Sequence, residues 1–168
     1  MRTRSNSSLF LYGLGAERKA PANENIMTAA NRQRILRANA LFIGIAGCAG
    51  LVFDIRGVLY GLGPQGRVLE HAPYAGISFV EAHGLAVILA VLLWRAVPSR
   101  AWHLTAMAIE ILLGTSNIAF WQMFVATDAL AVGYVTTGLH WLFVAAQLTS
   151  AVAAGATLPS AVARARCI

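Results

Sequence analysis

The chain has 168 residues, of which 58% are hydrophobic and 12% charged, and its 13 Lys and Arg against 7 Asp and Glu leave a net charge of +6. Ordinary soluble domains carry about 25% charged residues, so this composition excludes a typical soluble globule and a disordered chain alike. Once polar tails are set aside, the length holds one helical bundle and no second domain.

Residues 1–33 are rich in Ser, Asn, Arg and Ala without a steady period, and predict a disordered basic tail. Their apolar run, Leu9–Tyr12, is too short for the core of a signal peptide. Met27 precedes an ordinary opening, Thr28-Ala29-Ala30-Asn31-Arg32, and is an alternative start that would leave residues 1–26 out of the natural protein.

Four apolar stretches follow, Ile35–Phe53, Ala75–Val97, Ala101–Thr127 and Ala129–Leu158. Each reaches the roughly 20 residues that a helix needs to cross the hydrocarbon, the first only if Arg37 snorkels outward. The expected fold is therefore an all-α integral membrane protein, an antiparallel four-helix transmembrane bundle over 34–158 with a short tail at 159–168. Of the 13 basic residues, Arg56 and Arg67 fall on one side of such a bundle and the rest on the other. By the positive-inside rule both termini are cytoplasmic, in a bacterial cytoplasmic (inner) membrane. The basic surplus is then a topology signal, and nucleic acid is not an expected partner. Expected partners are the lipid bilayer and either further copies of the chain or a larger membrane complex.

The first stretch carries Gly44, Gly47, Cys48 and Gly50, small residues that let another helix approach. Asp54–Tyr74 is the longest connection and is expected to face outward, with room for a short interfacial helix. Its Gly61-Leu62-Gly63-Pro64-Gln65-Gly66 matches a dinucleotide fingerprint by letter, but lacks the strand and helix that give the motif its chemistry. Cys48 and Cys167 form neither a disulfide framework nor a CxxC pair.

The second stretch holds Ser78, Glu81, His83 and Gly84 toward its outer end. In the third, His103, Met107, Glu110, Gly114, Asn117 and Trp121 recur by steps of four and three and share one helix face. A second stripe in the fourth contains Gly133, Thr136, Thr137, His140, Val144 and Gln147. At 1.5 Å per residue, His83 and Thr136 lie about 10 Å and Asn117 about 15 Å below the outer surface, with His140 and Glu110 near the middle. Glu81, His83, Glu110, Asn117, Thr136 and His140 are therefore the expected lining of an outward-facing polar pocket, with Glu110 and His140 as its first pair. A carboxyl group at that depth must be neutral or paired with a cation. Asn117, Thr136, Thr137 and Gln147 equally suit hydrogen bonds that hold helices together, and Glu81 and His103 suit positions solvated near the interfaces.

Three functions fit such a pocket. The first is a binding or accessory subunit of a membrane assembly. The second is a redox protein holding haem, a metal or a quinone through His83 and His140, with Glu81 as a further metal ligand. The third is proton or small-solute permeation by Glu110 and His140. No residue pattern identifies a catalytic group, so enzymatic activity is left open.

Overall fold

The computed structural model describes residues 27–155, and these form helices and turns with no strand among them. The helices are α1 (Ala29–Tyr60), α2 (Gly63–His71), α3 (Ala75–Arg95), α4 (Arg100–Ala119), α5 (Trp121–Ala126) and α6 (Leu130–Gly155). Three of them, α1, α3 and α6, are long and apolar enough to cross a membrane. α4 has 20 residues but carries Arg100, His103, Glu110 and Asn117, which lowers its hydropathy. Most of the N-terminal tail and all of the C-terminal one lie outside the described residues.

Local chemistry explains where the helices depart from the hydropathy reading. α1 starts at Ala29, upstream of Ile35, because the Thr28 hydroxyl accepts the Asn31 amide at 3.2 Å and caps the first turn. It also runs on through Tyr60, so Asp54 is a buried helical residue and not the start of the connection. Gly61 ends the helix in the left-handed conformation, φ 63°, with backbone bonds back to the Arg56 and Gly57 carbonyls. The remaining connection contains α2, which has Pro64 in its first turn. Ser99 caps α4 by accepting the Trp102 amide at 3.3 Å. The third apolar stretch is not one continuous helix, since Phe120, at φ −104° and ψ 29°, separates α4 from α5.

The helices pack chiefly as two pairs, α1 along α3 and α4 along α6, with α1 also touching α4 and α6. Leu36, Ala40 and Ile43 of α1 form one apolar core with Ala90 and Leu93 of α3 and Ala106 of α4. The opposite faces are apolar and exposed, with Ile77, Leu112 and Val152 each at least 66% accessible. Apolar outward faces of this extent suit lipid rather than water.

α1 and α3 approach closely through glycine. A Cβ on Gly50 would fall on the His83 imidazole ring, so the ring occupies the space that the missing side chain leaves. Gly50→Ala is expected to displace the ring and destabilise the α1–α3 pair by about 1–3 kcal/mol. Equilibrium unfolding in mixed micelles measures this, and unchanged stability would show that the ring has another place to go.

Candidate functional site: a buried polar ladder

α4 and α6 meet through polar side chains. His103 pairs with Gln147 at 2.6 Å, Glu110 with His140 at 2.5 Å, and Asn117 with Thr136 at 3.1 Å. On α4 the three positions are seven residues apart, about 10 Å of helix per step, and their partners descend along α6 as they ascend. This is the pattern of two antiparallel helices side by side over most of the length of α4.

The middle rung is the most elaborate. Glu110 Oε2 faces His140 Nδ1, and Glu110 Oε1 accepts from Asn39 Nδ2 of α1 at 2.6 Å. Both carboxyl oxygens are thus engaged, and three helices converge on one side chain. Asn39 and Glu110 are fully buried, while His140 keeps 7% of its surface. Phe42 stands edge-on to the imidazole with ring centroids 5.0 Å apart and stacks on Phe143 at 5.5 Å. These aromatic rings give His140 an apolar wall, so the pair lies in a poorly solvated setting where hydrogen bonds are electrostatically strong.

The rung nearest α5 is neutral. The Thr136 hydroxyl accepts from the Asn117 amide and donates to the Val132 carbonyl at 2.7 Å, so both its roles are used. At the other end His103 and Gln147 are fully buried, and Nε2 of each has no hydrogen-bond partner among the described residues. Asn39 Oδ1 and Thr137 Oγ1 are buried without partners too. Such atoms require a water or ligand contact to avoid a substantial desolvation cost.

The remaining pocket candidates lie elsewhere. His83 Nδ1 pairs with Asp54 Oδ2 at 2.5 Å across α1 and α3, with Asp54 fully buried and the His83 side chain 35% exposed. Glu81 is exposed on α3 and belongs to none of these groups. The structure therefore brings together Glu110 with His140 and Asn117 with Thr136, and gives His83 to a different helix pair. Two cavities are described, one of about 460 Å³ between α1 and α3 and one of about 350 Å³ beside α2, and none of the six residues lines either. Among the described residues no group of three His, Cys, Asp or Glu side chains is placed to hold a metal ion, so Glu81, His83 and His140 do not form a metal set.

Asn39 and Asp54 escaped the sequence reading. Asn39, Ile43, Gly47, Asp54 and Gly57 are buried on α1, with Gly50 half-buried among them, and the six recur by steps of four and three. Extending the glycine face one turn toward the C-terminal end of α1 and two turns toward its N-terminal end would have reached both polar residues. Comparison of the chain with protein-family models, curated proteins and solved structures gives no match.

Proposed function

We propose that the chain is a four-span membrane protein in which Asn39, Glu110 and His140 form a proton-binding centre. The carrying observation is the antiparallel ladder of three polar rungs with Glu110 bonded from both sides. α4 lies beside α6 along that ladder, which supports a membrane crossing by α4 despite its lower hydropathy. The ends bearing Arg32, Arg34, Arg37, Arg95 and Arg100 are then cytoplasmic, in a bacterial inner membrane.

Magnitudes favour a working role for Glu110 over simple adhesion. An ionisable side chain at mid-span costs roughly 2.5–3.5 kcal/mol on insertion scales. Interhelical hydrogen bonds in membranes return about 0.6 kcal/mol each on average and about 1–2 kcal/mol at most, so two of them offset that cost only at the top of the range. Asn117 with Thr136 performs the adhesive task without an ionisable group. A carboxyl–imidazole pair offers what the neutral rung lacks, a proton that passes between Oε2 and Nδ1 with little motion. The unpartnered atoms of His103 and Gln147 extend the polar path toward the cytoplasmic end, with waters as the connecting groups.

The redox reading through His83 and His140 gains no support, because the two imidazoles are bound to different carboxyl groups on different helix pairs. An accessory role in a larger membrane assembly makes no demand on the ladder.

Reporter fusions test the topology. Reporters placed at Leu62 and at Asp128 are expected on the outer side, and reporters at Val97 and after Gly155 on the cytoplasmic side. If Val97 and Asp128 report the same side, α4 does not cross. Difference infrared spectroscopy of the native protein against Glu110→Gln tests the proton site. A protonated-carboxyl band present in the native protein should vanish in the variant, and an identical spectrum would end the proposal.

A further inference from the structure

The larger cavity is an apolar groove of about 460 Å³ on the outside of the α1–α3 pair, with Leu41, Gly44 and Cys48 on one side and Val91, Trp94 and Arg95 on the other. Its volume falls in the range of small-molecule sites, and Ala40 to Cys48 gives it about 12 Å of length along α1. Leu41, Val91 and Trp94 are each about half exposed, so the groove is open along the face turned away from the bundle.

One end is cationic. Arg95 lines the groove, and the Arg37 guanidinium lies 5.5 Å from the centroid of the Trp94 ring. The ion pairs among the described residues are both formed by histidines, so neither arginine has a carboxylate partner there. Two uncompensated guanidinium groups beside an apolar channel at a helix end complement one kind of molecule, an anion joined to a hydrocarbon chain. A cavity for a water-soluble anion would need polar walls.

We infer that this groove is a binding site for an anionic phospholipid, its phosphate held by Arg37 and Arg95 and one acyl chain lying against Leu41, Gly44, Cys48 and Val91. Trp94 stands at the boundary, its ring facing Arg37 on one side and the chain on the other, where indole rings are favoured. The inference rests on the membrane reading above and is independent of the proton site.

The test uses the full chain in phosphatidylcholine bilayers doped with phosphatidylglycerol or phosphatidylcholine carrying brominated acyl chains, which quench indole fluorescence on contact. Subtracting the Trp94→Phe signal isolates Trp94. The brominated phosphatidylglycerol is expected to bind at the Trp94 site at least about fivefold more tightly than the brominated phosphatidylcholine, the fold-change corresponding to one arginine. Combined Arg37→Gln and Arg95→Gln should bring that ratio close to unity. Equal quenching by both lipids in the native protein would overturn the inference and leave ordinary boundary lipid. Absence of quenching at Trp94, with copies that crosslink through Cys48 and no longer do so as Cys48→Ser, would overturn it in favour of a second copy in the groove. Failure of the membrane reading itself would look different, since no tryptophan would then be quenched by either lipid.

Discussion

Glu110→Ala is expected to be among the most damaging single substitutions in the bundle, and Glu110→Gln to be tolerated. Alanine removes both bonds of the side chain and leaves the Asn39 amide and the His140 imidazole without their shared partner in a buried site. Each stranded polar group costs about 1–3 kcal/mol, and the vacated volume adds a cavity term. Glutamine has nearly the same shape. Its carbonyl accepts from Asn39, and its amide donates to His140 when the ring carries its proton on Nε2 instead of Nδ1, so the loss should stay within about 1 kcal/mol. Equilibrium unfolding of both variants in mixed micelles measures the difference. A Glu110→Gln loss as large as that of alanine would mean that His140 is a cation needing the carboxylate charge.

The second large effect concerns Asp54 and His83, and its sign depends on whether one partner or both are changed. His83→Leu leaves a fully buried carboxyl group without its one side-chain partner, since Asp54 Oδ1 is already unpartnered. Removing one member of a fully buried pair typically costs about 3–5 kcal/mol, and the 35% exposure of the His83 side chain places this pair below that range. Replacing both by apolar side chains removes the desolvation cost along with the attraction, and such replacements are neutral or stabilising by about 1–4 kcal/mol. Combined Asp54→Leu and His83→Leu should therefore be at least as stable as the native protein. A double variant as unstable as His83→Leu alone would show that the pair is required for α1 and α3 to pack.

The polar faces of α4 and α6 were legible because a helix repeats every 3.6 residues. Once Glu110 and His140 were placed at similar depth on facing stripes, their pairing was a short step, and the structure joins them. Depth, however, is only one of the two coordinates of a residue in a bundle. His83 and His140 are both plausible pocket residues by depth, yet α3 turns His83 toward α1, and no spacing within α3 reveals that direction. Asp54 was hidden for a different reason. A carboxyl group followed closely by Arg56 resembles the polar edge at which an apolar run ends, whereas the helix continues to a glycine cap at Gly61. Asn39 lies two residues beyond Arg37, in the part of the first stretch that the arginine draws toward the interface. The break at Phe120 had no proline or glycine to announce it.

The central question is whether Glu110 and His140 share a proton inside the bilayer. Solid-state nitrogen-15 NMR of the histidine ring, recorded on the protein in lipid bilayers, reads this most directly. His140 Nδ1 is expected to carry the shift of a strongly hydrogen-bonded nitrogen, and that shift is expected to change in Glu110→Gln. A His140 signal that is the same with and without the carboxyl group would contradict this.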